Sequence, residues 1–182
     1  TDFEDRVGGG TAPGAVTIDA ASDVGLDAAF DAASLVQTTG TGTTTITAPL
    51  TATTGSVSVA NDVITTSGAI DATAGGGITL DAETGTLSIG ALLDAAGAVD
   101  LSGATGIGLG ADLRSAGGAV DLRDATTITA AGVEISSGGG AITFASTLDA
   151  AALAGLDIDA GTAGALTFTG LVGSGARLGL LT

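Results

Sequence analysis

The side chains available for chemistry in this chain are almost all carboxylates. Twenty aspartate and glutamate residues accompany four arginines, which gives a net charge of −16, and the 182 residues include no histidine, cysteine, lysine or tyrosine. Histidine, lysine, tyrosine and cysteine are therefore not available as a base or a nucleophile. The chemistry that remains is that of carboxylates, either as paired acids for glycoside hydrolysis or as oxygen ligands for a hard cation such as calcium.

Two pairs of aspartates are close enough in sequence to be considered as hydrolytic pairs. They are Asp121 with Asp124, and Asp157 with Asp159. However, the dipeptide Asp-Ala occurs nine times, usually just after an apolar segment. A residue that recurs at the same place in a repeated unit serves the architecture of that unit. We therefore expect no enzymatic activity, and a polysaccharide-acting enzyme is the least favoured alternative.

Calcium is a stronger hypothesis, because Asp100 and Asp121 lie 21 positions apart. If these residues stack on adjacent coils, their like charges are about 5 Å apart, and a calcium ion between the coils would relieve the repulsion. The calcium-binding nonapeptide and the EF-hand loop are absent. Arginine offers a solution without metal, since Arg123 follows Asp121 by two residues. A second ladder of charges without metal is predicted from Asp94, Arg114 and Glu134, which are spaced by 20.

The elements that must position these residues are marked by a glycine followed by an apolar–x–apolar triplet. The first apolar residues of the triplets are Val57, Ile78, Val99, Val120, Ile142 and Leu166. Their spacings are 21, 21, 21, 22 and 24, and Leu35 and Val16 continue the series upstream. A period near 21 that is held this many times indicates a repeat architecture.

Each repeat contains short segments in which apolar and polar residues alternate, separated by glycine, aspartate, alanine and serine. This is the pattern of strands and tight corners. Only residues 26–36 and 146–156 have a spacing that a helix could use, and we interpret both as strand and corner. The sequence therefore predicts an all-β fold, a parallel β-helix (β-solenoid) with about 21 residues per coil and about eight coils. A compact β-sandwich is the alternative, although it would not require the constant phase.

The composition is consistent with such a narrow core. Apolar residues make up 45% of the chain, yet only four are phenylalanine and none is tryptophan. The mean hydropathy of +0.57 argues against disorder. The acidic balance argues against nucleic acid or an anionic membrane as partner, and the uncharged run at 32–61 is too rich in threonine, glycine and serine to be a transmembrane helix.

The threonine-rich run at 38–55 raises the possibility of an ice-binding face. Such a face needs threonine at the same place in coil after coil. Thr79 and Thr143 occupy the central site of the triplet, but Asp100 and Asp121 occupy it between them. The row is predicted to be interrupted, which disfavours ice binding.

The last residues of the chain resemble its first residues in sequence. Phe3, Val7, Gly8 and Gly10 recur 165 positions later as Phe168, Val172, Gly173 and Gly175. We interpret the echo as the seam of a long repeat, so that residues 1–182 are a single rod segment with one repeat and the start of the next. The two copies are expected at the same position on the rod's circumference. Since an open coil end needs a cap, these eight residues are the predicted site of end-to-end stacking with another copy. We also expect the chain to be an excerpt of a longer protein, because no signal peptide is recognisable.

Three segments carry a resemblance to a known class of proteins. Residues 40–59, 139–150 and 156–182 resemble the repeats of filamentous-haemagglutinin-like proteins and other large repetitive adhesins of bacteria. The resemblance implies a β-helical stalk, secretion, an extracellular location at the bacterial cell surface, and no catalytic residues. The expected function is a structural fibre or stalk segment that stacks head to tail with further copies. An adhesin module that binds a glycan or a host surface is the alternative, and neither nucleic acid nor membrane insertion is expected.

Overall fold

The computed structural model describes all residues from 1 to 182, and it contains strands and no helix. The strands form three parallel sheets, which we call sheets A, B and C. Sheet A contains β1 (Asp2–Phe3), β3 (Val24–Leu26), β6 (Thr43–Ile46), β9 (Val63–Thr66), β12 (Thr86–Ile89), β15 (Gly106–Leu109), β18 (Thr126–Ile128) and β21 (Leu148–Ala150). Sheet B contains β4 (Phe30–Ala32), β7 (Leu50–Ala52), β10 (Ile70–Ala72), β13 (Leu93–Ala95), β16 (Leu113–Ser115), β19 (Val133–Ser136) and β22 (Leu156–Asp159). Sheet C contains β2 (Ala15–Ile18), β5 (Ser34–Gln37), β8 (Val57–Asn61), β11 (Ile78–Ala82), β14 (Val99–Gly103), β17 (Val120–Leu122), β20 (Ile142–Phe144) and β23 (Leu166–Phe168).

The chain visits the three sheets in a recurring order and so winds through about eight coils. In the regular part of the rod each strand pairs with the strand three before it and the strand three after it, as β11 does with β8 and β14. This is the predicted β-solenoid. The two segments with a possible helical spacing, 26–36 and 146–156, are strands and corners, as expected.

The register of sheet C confirms the period that the sequence suggested. The first apolar residues of the triplets are successive Cα partners across the whole sheet, in the order Val16, Leu35, Val57, Ile78, Val99, Val120, Ile142 and Leu166. From Val57 to Ile142 their side chains are fully buried. The triplet is therefore the inward face of sheet C, and its middle residue points to solvent.

The core is one column of 36 buried hydrophobic residues that runs along the rod. Its interior consists of valine, isoleucine, leucine and alanine, because three short strands around a narrow axis leave little room for larger side chains. The four phenylalanines pair at the two ends of the column. The Phe3 and Phe30 rings meet edge to face at 5.2 Å, and the Phe144 and Phe168 rings stack at 5.1 Å.

A column of glycines forms the corner between sheets B and C. A Cβ atom on Gly76 would lie 1.9 Å from the carbonyl oxygen of Gly55, and one on Gly140 would lie 2.1 Å from that of Gly118. The backbones of successive coils meet directly at this corner, so that no side chain can be accommodated there. This is the physical reason for glycine at positions 76, 118, 140 and 164, just before four of the triplets.

The expectation that the terminal echo returns to the same position on the circumference is wrong. Phe3 lies in sheet A opposite Leu26, whereas Phe168 lies in sheet C opposite Phe144. From β1 the chain makes seven coils to β21 and then passes two further sheets to β23, so the 165 positions do not close a whole number of coils. What the copies share is a local turn, because Gly8 and Gly173 both have positive φ, 80° and 67°.

Candidate functional site

The predicted stack of Asp100 on Asp121 is present on the outer face of sheet C. The two residues are direct Cα partners in β14 and β17. Arg123 donates through Nε and Nη2 to the two carboxylate oxygens of Asp100, a bidentate ion pair that spans adjacent coils. This hydrogen bonding, together with the charges of Asp100, Asp121 and Asp81, raises the pKa of Arg123 above its ordinary value.

Arg123 thus supplies a counter-charge to Asp100. Calcium takes six to eight oxygen ligands, and no group of three or more histidine, cysteine or acidic side chains in the structure could hold a metal ion. Asp100 is already engaged by Arg123, and Asp121 offers one further carboxylate. The residues present do not fit a calcium centre.

The second predicted ladder forms in part. Arg114 lies opposite Asp94 in sheet B, but its guanidinium contacts Glu134 at 3.5 Å and Asp112 at 3.3 Å instead. Asp112 was not singled out from the sequence, although it lies two residues before Arg114 and therefore on the same face. All of these side chains are substantially exposed, and pairs of this kind stabilise a fold only slightly.

Among the aspartates considered as hydrolytic pairs, Asp124 and Asp159 hold corners of the coil, whereas Asp121 lies within β17 and Asp157 within β22. The Asp124 carboxylate accepts hydrogen bonds from the Ser102 hydroxyl and the Gly103 amide, both at 3.0 Å. Asp159 accepts a hydrogen bond from the Gly161 amide at 2.7 Å. Other aspartates that accept backbone amides in the same way are Asp23, Asp71, Asp112 and Asp149. Of the nine Asp-Ala aspartates, Asp71, Asp124, Asp149 and Asp159 thus satisfy backbone amides at corners of the coil.

One ion pair fastens the first coil to the second. Arg6 donates to Asp31 at 2.7 Å and thereby lowers the pKa of that carboxyl group, with a smaller contribution from Thr51. Because the folded pKa is lowered, this stabilisation is present above the ordinary aspartate value of 3.8 and is lost as the pH falls through the lowered value. The Arg6 side chain is 59% exposed, so the effect is small.

A buried polar cluster at the corner between sheets C and A was not found from the sequence. Asn61 donates to Thr44 Oγ1 at 2.9 Å and to the Ser22 carbonyl at 3.3 Å, and it accepts from the amides of Gly42 and Asp62. Gly40 makes room for it, since a Cβ there would lie 2.2 Å from Asn61 Oδ1. All four bonds are internal, which gives this asparagine a structural role. An asparagine in an otherwise apolar strand position was the available signal.

The residues predicted for end-to-end stacking lie in the first and last coils. Phe3 and Val7 are half-buried in the first coil, and Phe168 is half-buried in the last. Val172 is 42% exposed. The large hydrophobic side chains that are exposed all lie near the carboxyl-terminal end, and they are Leu153, Leu166, Leu171, Val172, Leu180 and Leu181.

The threonine row of sheet C is interrupted as predicted, because Asp100 and Asp121 stand between Thr79 and Thr143. Sheet A, however, carries an outer column with hydroxyls and no charge over five coils, formed by Thr45, Thr65, Ser88, Gly108 and Thr127. This column was not found from the sequence, because the spacing of its members varies between 19 and 23.

The structure contains no helix that is long and apolar enough to cross a membrane. No protein family, curated protein or solved structure matches this chain.

Proposed function

We propose that this chain is a structural rod segment of an extracellular fibre or stalk of a bacterial surface protein, which is extended by further copies stacked end to end. The fold supports a mechanical role, because the core is continuous along the axis and every coil rests on the next. Several of the recurrent carboxylates are engaged in corners and ion pairs, among them Asp31, Asp124 and Asp149.

The observation that carries the proposal is the core column, which is continuous along the rod and in which each inner coil is covered by the coil on either side. The inward-facing residues Leu166, Val172 and Leu181 of the last coil are 44%, 42% and 44% exposed. Their partners one coil earlier, Ile142, Leu148 and Leu156, are at most 1% exposed. Another coil stacked on this end would bury these side chains and pair the open strand edges.

The register of the last coil specifies how a second copy must be joined. Leu156 and Leu181 are partners in sheet B, and the next sheet C strand begins with Leu166, ten positions after Leu156. If Thr182 is joined directly to Gly8 of a second copy, Val16 of that copy also follows Leu181 by ten positions. This in-phase fusion adds eight sheet C strands and is expected to lengthen the rod by roughly 38 Å, at about 4.8 Å per coil.

Electron microscopy of the single chain and the fusion tests the proposal. The matched control joins Thr182 to Thr1 of the second copy, which places Val16 seventeen positions after Leu181 and brings β1 to the place where a sheet C strand is required. We expect one straight, longer rod for the in-phase fusion and a kinked or two-part particle for the control. If the in-phase fusion forms two separate particles rather than one longer rod, the proposal is refuted.

Two further measurements separate the other functions. Saturable binding of the isolated chain to a glycan array or to host cells would replace the structural role with an adhesin module. Release of reducing ends from a polysaccharide panel, abolished by Asp121→Asn, would replace it with an enzyme. We expect neither signal.

A further inference from the structure

The outer face of sheet A has no charged residue over five successive coils, from β6 to β18. We call this part of sheet A the neutral face. It consists of the outward side chains of five strands and of one residue next to each strand. They are the outward positions within 43–47, 63–67, 86–90, 106–110 and 125–129, in β6, β9, β12, β15 and β18. None of these segments contains a charged residue, in a chain with a net charge of −16. The central outer columns of sheets B and C contain charged residues, for example Asp71 next to Asp94 and Asp100 next to Asp121.

We propose that the neutral face pairs two rods side by side, with a second copy of this chain as the partner. Sheet B carries Asp71 and Asp94 on its outer face, and sheet C carries Asp100 and Asp121, so two copies repel each other where these carboxylates meet. Across the neutral face they meet without like charges. The hydroxyls of Thr45, Thr65, Ser88 and Thr127 take no part in the hydrogen bonds of the fold, whereas Thr47 and Thr86 at the margins do. The central hydroxyls are therefore free to bond across an interface.

The face is also complementary to itself in shape. The outward positions of β15 are all glycine, namely Gly106, Gly108 and Gly110, and they leave a bare strip one strand wide. A two-fold axis along β12, at Ser88, reverses the order of the coils while it keeps the strand direction. It therefore places β9 with Thr65 over the glycine strip of the partner, and Thr45 over Thr127. Such an isologous contact is closed and joins antiparallel rods.

Gly108 itself is not required by the fold. A Cβ atom at this position would lie 3.7 Å from Thr129 Cγ2, an ordinary contact, and its φ is not positive. Gly106, by contrast, is required by its φ of 128°, and a Cβ atom on Gly110 would lie 2.8 Å from Thr129 Oγ1 and 3.2 Å from the carbonyl oxygen of Ile89. The bare centre of the strip is thus left unexplained by stacking of the coils and is accounted for by a facing side chain.

The size of the face determines when pairing is observed. Five coils of about 4.8 Å and five residues of about 3.3 Å give roughly 400 Å² per rod, which is about half of the 800 Å² per partner of a standard interface. A single segment therefore pairs weakly. Successive segments of a fibre pair more tightly, because their contacts are linked. This step rests on the proposed end-to-end function.

Ionic strength gives the pairing a distinctive signature. Asp23 and Asp27 beside β3, and Asp149 in β21, flank the neutral face at its two ends. The two-fold axis brings β3 of one rod opposite β21 of the other, so like charges meet at the margins. Monovalent salt screens this repulsion and is expected to strengthen pairing. Bridging of the acidic flanks by calcium would instead require the divalent ion and be reversed by a chelator.

The test is sedimentation of the single chain and of the in-phase fusion in low and high sodium chloride with chelator present. We expect the fusion to form dimers that become more stable with salt. Thr65→Asp and Gly108→Thr are each expected to raise the dissociation constant of the dimer at least about tenfold. The first change buries an unpaired charge in the interface, and the second fills the glycine strip that receives Thr65 of the partner. Ser58→Asp is the control, since it places the same charge in the same coil but on sheet C.

Three results would overturn the pairing. The first is a fusion that remains monomeric at every salt concentration. The second is association that Thr65→Asp and Ser58→Asp weaken equally. The third is binding of a neutral polysaccharide by the single chain, if Thr65→Asp abolishes it and Ser58→Asp does not. An in-phase fusion that is a long rod but remains single would refute the pairing and leave the fibre proposal intact. A fusion that forms two separate particles would refute the fibre proposal, and the salt dependence of the single chain would still decide the pairing.

Discussion

At the scale of single residues, the structure shows how a strongly acidic chain tolerates aspartates on neighbouring coils. Asp100 and Asp121 are direct partners, and the guanidinium of Arg123 covers the first of them in a bidentate pair. The arginine side chain is 61% exposed, so the attraction is weakened by water and salt. Its contribution is therefore local and modest rather than decisive for the fold.

Arg123→Gln is expected to lower the free energy of unfolding by about 0.5–1 kcal/mol at low salt, because it leaves two adjacent carboxylates without a counter-charge. The loss should shrink as salt rises from about 0.01 M to about 1 M and the screening length falls from about 30 Å to about 3 Å. Denaturant melts at both salt concentrations measure the difference. Arg177→Gln is the control, since Arg177 forms no ion pair in the structure; an equal effect of both changes would contradict the assignment.

At the scale of the elements, the corner between sheets B and C allows the coils to stack at the spacing of paired strands. Strands can stack at the spacing of hydrogen-bonded neighbours only if nothing projects from the backbone where the chain turns. Gly118 meets this requirement, since a Cβ there would lie 2.3 Å from the amide nitrogen of Ala98. A Cβ on Gly117, one residue earlier, would meet no atom within 4 Å, and the φ of Gly117 is not positive.

Gly118→Ala is therefore expected to destabilise the protein by about 1–3 kcal/mol, the usual effect of forcing extra volume into a packed site. Gly117→Ala is expected to change the stability by less than about 0.5 kcal/mol, as is usual for exposed positions. Thermal or denaturant unfolding of the two variants gives the comparison. Similar losses would show that glycine flexibility, and not the approach of adjacent coils, matters at this corner.

At the scale of the whole molecule, the rod is nearly one-dimensional. Each coil is stabilised by the coil on either side, and the two terminal coils have only one such neighbour. The inward residues of β11 and β14 are covered from both sides, whereas Leu166 of β23 is 44% exposed. Stability is therefore expected to be highest in the middle of the rod and to decline towards both ends.

Amide hydrogen exchange measures this gradient. We expect the slowest exchange in the central coils around Leu80 and Leu101, and faster exchange in β1, β2 and β23, because the end coils can open without breaking contacts on two sides. In the in-phase fusion, β23 of the first copy becomes central and should gain protection. Uniform protection of all coils in the single chain would show that the rod opens only as one cooperative unit.

The sequence by itself determined the class of the fold and its inward faces. The triplet that begins at Val57 and its successors predicted sheet C residue by residue, because the inward side chains of a solenoid must repeat with the coil. It also placed Asp100 on Asp121, since 21 positions are one coil in that part of the sheet. These properties depend on period alone, and a period is readable from a linear chain.

Only the tertiary structure decided which sheet each segment joins and what its outer side chains meet. The repeat of Phe3 as Phe168 suggested that both residues occupy the same position on the circumference of the rod. Because corners of variable length make the coils unequal, Phe3 lies in sheet A and Phe168 in sheet C. The bidentate contact of Arg123 with Asp100 and the uncharged column around Ser88 depend on the same variable corners. Which outer side chains of neighbouring coils meet depends on the lengths of all the corners between them. The period of the strands of one sheet does not reveal those lengths.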